Sequence, residues 1–201
     1  MKITVVGSGA WGTALAICLC KNGHHVTLWA RSAEKAEQMK KTGYNPRLAE
    51  VMLPEELNIS ADPACVAGCK LVIIASPSHA IRQVCASIAK HLSEDAVMVS
   101  VTKGIEPVTL LRMSQVVEEE TKRPVVALTG PSHAEELAQC MPTGCVAASA
   151  DQKNAELVQD AFMSDYFRIY TSPDIVGAEL GGALKNVIAL AAGIADGLGY
   201  G

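Results

Sequence analysis

The sequence predicts an α/β fold: a doubly wound, mainly parallel sheet followed by the first helix of an all-helical second domain. Three observations predict it. Short apolar runs rich in Val and Ile alternate with helical patterns from the N-terminus onward. The runs are continuously apolar, as strands buried on both faces are, and the connections between them are short. From Asp174 the alternation gives way to one long stretch rich in Ala, Gly and Leu with helical character. Ser172-Pro173 is therefore read as a boundary, with residues 1–172 as one domain and residues 173–201 as the start of another.

Each element has its own reason. Residues 3–6 are a β-branched run that stops at Gly7. Residues 11–21 follow as a helix with Ala14, Leu15, Cys18 and Leu19 on one face, closed by Asn22-Gly23. Residues 25–29 alternate as a strand, and residues 32–41 form a charged helix with Ser32 as N-cap. Residues 43–54 read as a loop and residues 57–60 as a short strand. Residues 71–74 and 96–101 are further strands, with a helix over 81–91 between them. A helix over 108–120 precedes the strand at 125–128, and Glu118-Glu119-Glu120 is read as its solvated end. Strands at 146–149 and 167–170 flank a helix over 154–163. Parallel strands joined this way require right-handed crossovers.

Composition narrows the function classes. The chain has 201 residues, enough for about one to one-and-a-half domains. Its 49% hydrophobic share is too high for a disordered chain. The formal net charge is −4, so no overall basic field attracts nucleic acid, and no nucleic-acid partner is expected. The seven cysteines are an odd number in a long chain, which fits small buried hydrophobes in a reducing cytoplasm better than a disulfide framework. Cys65 and Cys69 are the only suggestively spaced pair, and no Cys/His set completes a metal site, so no metal is expected. The N-terminus lacks a signal-type apolar core. The longest apolar run near the C-terminus, residues 187–195, is nine residues against the ~20 a bilayer needs, so no membrane span is expected.

Four segments carry chemistry. Gly7-Ser8-Gly9-Ala10-Trp11-Gly12 is a complete G-x-G-x-x-G between a strand and a helix, the context that makes the pattern specific. Gly7 allows the tight turn, Gly9 lets a pyrophosphate approach, and Gly12 packs helix on strand. The helix N-terminus then faces the phosphates, as in a Rossmann-type dinucleotide fold. At the end of the second strand such folds place an acidic residue when they select NAD. Here Ala30-Arg31-Ser32 stands there, and Arg31 and Ser32 suit a ribose 2′-phosphate, so NADP(H) is expected in preference to NAD(H).

The third set lies where strands end and ligands of open sheets bind: Ser76-Pro77-Ser78-His79, Thr102-Lys103-Gly104 and Gly130-Pro131-Ser132-His133-Ala134. Lys103 leaving a buried strand suits an anion. His79 and His133 are read first as caps of the helices that follow, and second as acid–base groups. The fourth is Lys185 within an apolar helix, with Gly181-Gly182 one turn earlier. An ammonium buried among apolar groups is costly unless it is paired, which makes Lys185 a candidate proton-transfer group. The glycine pair permits close approach of another backbone or a ligand.

Together these segments resemble the bacterial-type NAD(P)-dependent glycerol-3-phosphate dehydrogenases, with Gly130-Pro131-Ser132, Thr102-Lys103-Gly104 and Gly181-Gly182-Ala183-Leu184-Lys185-Asn186-Val187 as the most specific pieces. The resemblance implies a small-molecule substrate, glycerol 3-phosphate or dihydroxyacetone phosphate, and a role in supplying phospholipid synthesis. It implies that Ala10, Trp11, Arg31 and Ala134 contact the cofactor and that Lys103 reaches both cofactor and substrate. It implies that Gly130 and Ser132 touch the substrate, and that Lys185 accepts the proton with Asn186 beside it. The loop at Asn45-Pro46-Arg47-Leu48 lacks a tyrosine the family tends to carry there. The family continues past Gly201 with a helical domain that grips the substrate, so the chain is expected to bind NADP(H) and turn over poorly. A homodimer contact through the apolar C-terminal helix is a further expectation. Two other readings stand beside this one: a related β-hydroxyacid-type dehydrogenase, and a non-catalytic NADP-binding module.

Overall fold

The computed structural model describes residues 1–200; Gly201, the last residue assigned above to the second domain, lies outside the described residues. The first half of the chain runs β1 (Lys2–Val6), α1 (Ala10–Lys21), β2 (His25–Trp29), α2 (Ala33–Thr42), β3 (Asn58–Ser60), β4 (Leu71–Ile74), α3 (Ile81–Ala89) and β5 (Val97–Ser100). The second half runs α4 (Met113–Thr121), β6 (Val125–Thr129), α5 (Ala134–Ala138), β7 (Thr143–Ala148), α6 (Gln152–Phe162), β8 (Phe167–Ser172) and α7 (Ile175–Gly197). Among the described residues the strands form one sheet in the order β3-β2-β1-β4-β5-β6-β7-β8.

The predicted doubly wound, mainly parallel sheet is what forms, and the alternation along its strands shows why. In β4, Leu71 and Ile73 enter one core while Val72 and Ile74 enter the other; in β5, Val97 and Val99 part from Met98 in the same way. The first core is covered by α1, α2, α5 and α6, and the second by α3 and α4. β1, β4 and β5 therefore bury both faces, which explains their apolar runs, whereas the edge strand β8 alternates buried Phe167 and Ile169 with exposed Arg168 and Tyr170.

Among the strands of the described residues, only β6 and β7 pair antiparallel. The segment between them contains α5, five residues long. Such a helix rises about 7.5 Å, whereas a five-residue strand spans about 17 Å. α5 cannot carry the chain back along β6, so β7 starts from the same edge and runs the opposite way.

Three readings need correction. The helix expected from residue 108 begins at Met113. Pro107 biases Glu106 away from helix, Val108 and Leu110 take left-handed φ of 74° and 58°, and Ile105 bridges to Arg112. The Glu118–Glu120 end is more than solvated: Glu119 and Glu120 both bond Arg82 of α3, at 3.0 and 2.7 Å. The helix expected after His133 is α5, only five residues long and too short for its bounds to show in the periodicity. Finally, α7 extends over 23 residues and contains an 18-residue window of mean hydropathy 1.4, long and apolar enough by those measures to cross a membrane, whereas the sequence reading counted only the nine-residue run 187–195 that follows Lys185.

Candidate functional site

The site begins at the turn after β1. Gly7 has a φ of 127°, and a Cβ there would lie 2.5 Å from the Ala75 carbonyl oxygen. A Cβ on Gly12 would lie 2.1 Å from the Gly7 carbonyl oxygen, so only glycine lets α1 start this close to the turn. Gly9, the N-cap of α1, meets nothing within 4 Å. Two of the three glycines are thus demanded by the protein's own packing. The third leaves open space in front of a helix N-terminus, where free N–H groups favour an anion.

That turn opens into a cleft of about 780 Å³ at the C-terminal ends of β1, β2, β4 and β5. Arg31, Ser32, Lys35 and Arg47 line it on the β2 side; Lys103, Ser132, His133 and Ala134 line it on the β5 and β6 side. Trp11 and Trp29, the chain's two tryptophans, also face it. No Asp or Glu lines the cleft among the described residues. A chain of net charge −4 therefore presents a wall of cations here, which focuses a positive potential on any anion that enters.

The far wall is held by backbone contacts. Thr102 Oγ1 donates to the Ser76 carbonyl at 2.7 Å, tying the ends of β4 and β5 together. Lys103 Nζ donates to the Gly130 carbonyl at 3.1 Å. Gly130 itself is pressed against β7: a Cβ would meet the Gly144 oxygen at 2.5 Å. Partial burial, and after it the charge of Lys185, hold the Lys103 ammonium below the ordinary lysine range. Behind this turn, burial pushes the Cys145 thiol up to about 11, opposed by a hydrogen bond from Ser132 and by Lys103.

α7 reaches the same place from the other side. A Cβ on Gly182 would stand 2.8 Å from Thr129 Oγ1 and 3.6 Å from Lys103 Cγ, so Gly182 lets the helix lie against the end of β6. Gly181 meets nothing within 4 Å. One turn earlier Glu179, the only buried residue of α7, accepts from the Ser114 N–H at 2.8 Å and bonds Ser114 Oγ and Arg112. Its carboxylate caps the N-terminus of α4 from a distant part of the chain.

The predicted residues fall into three groups. Gly7, Gly9, Trp11, Arg31, Ser32, Lys103, Ser132 and Ala134 line the cleft. Ala10 and Gly12 support it from the first turn of α1, and Gly130 supports it through Lys103. Lys185 and Asn186 stand exposed on α7 beside the Lys103 end, so the expected burial of Lys185 is not found; α7 has only its first turns against the sheet. The capping expected of His79 and His133 is also absent. His133 occupies the N-cap of α5 without a side-chain cap bond, and both histidines line the cleft. Sequence reasoning missed Lys35 and Arg47. Lys35 left one trace, a cation in the first turn of α2, the helix end where the dipole disfavours it.

Comparison with known proteins agrees with this geometry. The N-terminal model of NAD-dependent glycerol-3-phosphate dehydrogenase matches residues 2–155, and its C-terminal model matches residues 174–201. The chain belongs to this family. A glycerol-3-phosphate dehydrogenase [NAD(P)+] from Thermoanaerobacter sp. (strain X514) is 48% identical over 202 residues, covering all of this chain and 61% of the relative. Its counterpart from Moorella thermoacetica is 49% identical and covered to 60%. The crystal structure of glycerol-3-phosphate dehydrogenase from Coxiella burnetii superimposes with a TM-score of 0.90 at 32% identity, over all of this chain and 62% of that one. The chain thus spans about three-fifths of the length of these family members.

Proposed function

We propose that this chain is the nucleotide-binding and proton-transferring part of an oxidoreductase that interconverts sn-glycerol 3-phosphate and dihydroxyacetone phosphate, feeding phospholipid synthesis. The observation that carries the reading is the convergence of Lys103 and Lys185 beside the Gly130–Ser132 turn, at the open end of a cleft that starts from the glycine turn of α1. The cleft fits a nicotinamide dinucleotide: Gly9 and the α1 N-terminus leave room for a pyrophosphate, and no carboxylate repels it. Arg31 and Ser32 favour NADP(H), with NAD(H) as the weaker cofactor.

When bound, the nicotinamide supplies a hydride to the substrate C2 or takes one from it. Lys185 gives the C2 oxygen its proton in reduction and accepts it in oxidation. Lys103, held by the Gly130 carbonyl, sets positive charge beside that oxygen as it becomes an alkoxide. Residues 1–172 act as the nucleotide-binding unit, and residues 173–201 belong to the helical substrate domain. The exposed apolar face of α7, with Leu184, Val187, Ile188 and Leu190, is read as covered by protein rather than lipid, because Lys185 interrupts it and Glu179 fixes it to α4. A second copy of the chain in a homodimer is one such cover. Seven free thiols fit a cytoplasmic protein.

The exposure of Lys185 and Asn186 favours a second reading for this chain alone, nucleotide binding without turnover. One experiment separates them. The chain is titrated with NADPH, read by quenching of Trp11 and Trp29, and then incubated with dihydroxyacetone phosphate. Slow accumulation of glycerol 3-phosphate, absent with a β-keto acid in its place, is expected. NADPH binding with no product under prolonged incubation would establish the second reading, and turnover of the β-keto acid alone would overturn the substrate assignment.

A further inference from the structure

We propose that Lys35 and Arg47 join Arg31 as a three-cation clamp for a ribose 2′-phosphate, and that they set the preference for NADP(H). The inference deepens the reading above and rests on the cleft being a nicotinamide-dinucleotide site. All three line the cleft on the side of β2, the strand farther from Lys103 in the sheet order. Among the described residues none of the three forms an ion pair, whereas Lys40, Lys70, Arg82 and Arg112 each do. Three unpaired like charges facing one space repel one another, and an anion between them removes that cost. Lys35 also stands in the first turn of α2, against the helix dipole, while the N-terminus of that helix, capped by Ser32, opens toward the same space. Neither placement favours the folded protein without an anion.

Arg47 is held there by a built loop. Asn45 is buried and reaches in two directions: its Nδ2 donates to the Ser8 carbonyl at 3.0 Å and to Thr13 Oγ1 at 2.6 Å, and its Oδ1 accepts from the Arg47 N–H at 3.0 Å. The loop base is closed by a bridge between Tyr44 and Met52 and by Leu53 N–H to the Gly43 carbonyl at 2.8 Å. Leu48 anchors it in the core. Asn45 thus ties the Arg47 backbone to the glycine turn, so the guanidinium is carried on a segment fixed relative to the pyrophosphate site. A planar guanidinium suits a phosphate monoester dianion, with Lys35 as a second point charge.

The test measures NADPH and NADH affinity of the full chain by tryptophan fluorescence. Arg47→Ala and Lys35→Ala are each expected to weaken NADPH about five- to tenfold and to leave NADH within about twofold. Arg47→Lys recovers part of the NADPH affinity, showing that charge rather than a misfolded loop is at stake, and Lys153→Ala, a charge removed outside the cleft, changes neither ligand. Equal weakening of NADPH and NADH overturns the clamp and assigns these cations to the general field or the pyrophosphate. Unchanged NADPH affinity in both alanine variants overturns it as well. A parent chain that binds neither nucleotide overturns the function proposed above, and this inference with it.

Discussion

At the scale of single residues, the glycine turn separates two demands that the G-x-G-x-x-G pattern merges. Gly12 faces a backbone oxygen at 2.1 Å from its missing Cβ, so Gly12→Ala must push α1 off β1. The expected loss is about 3 kcal/mol of stability, seen as a lower denaturation midpoint. Gly9→Ala meets no atom within 4 Å, and its folding stability is expected to hold while NADPH affinity falls. A Gly9→Ala chain that binds NADPH normally would show that the open space at Gly9 is not where a pyrophosphate lies. The left-handed residues give an opposite case. Val108 is 97% exposed at a φ of 74°, a conformation β-branched side chains avoid. Val108→Asn is expected to stabilise the chain by about 1 kcal/mol, raising the thermal midpoint. No change would mean that the loop relaxes to another conformation in solution.

At the scale of elements, the central strands were legible because β1, β4 and β5 carry their own evidence: an apolar run buried on both faces needs no partner to be recognised. The start of α4 was not, because beside the local bond from the Arg112 N–H to Gln115 Oε1 at 3.1 Å its acceptor for Ser114 is Glu179, far away on α7. The local sequence offers a Pro and apolar residues and cannot announce a carboxylate that arrives from elsewhere. The cleft shows the same division. Gly7, Lys103 and Ser132 sit at strand ends, where topology marks them, while Arg47 sits in a loop whose position depends on Asn45 reaching Ser8 and Thr13. The Glu179 contact also yields a prediction. Glu179 and Arg112 have side-chain exposures of 6% and 18%, so Glu179→Ala leaves a largely buried guanidinium and the Ser114 N–H without their acceptor. The expected cost is about 3 kcal/mol, with faster hydrogen exchange concentrated in the first half of α7 and the start of α4. Loss of protection spread evenly over the sheet instead would show that Glu179 stabilises the whole fold rather than docking α7.

At the scale of the whole molecule, the titrating groups define a pH window. On the acid side, hydrogen bonds from Arg82 and then Thr109 hold the Glu106 carboxyl down at about 2 against an ordinary 4.5, and Lys70 lowers Asp95 in the same direction. A depressed carboxyl contributes stability that is complete above 4.5 and is lost as pH falls toward 2. The alkaline side belongs to the thiols. Burial pushes Cys18, Cys20, Cys65 and Cys145 up from 9.0 to about 11, and Cys85 to about 12, with Glu120 adding to the shift at Cys85. A raised thiol favours the folded state only while protonated, so this stability is complete below 9.0 and is lost as pH rises toward 11 or 12. Five thiols titrating together make the alkaline edge the steeper one. Thermal midpoints are therefore expected to begin falling gently below pH 6.5, because burial holds the His24 imidazole below its ordinary value, to fall further below pH 4.5 and to fall sharply above pH 9.0. Glu106→Gln should flatten the acid arm and leave the alkaline arm unchanged. Cys85→Ala should soften the alkaline arm at some loss of packing, because Cys85 is fully buried between α3 and the sheet. An alkaline arm of the same steepness in Cys85→Ala would show that the Cys85 thiol does not contribute to it.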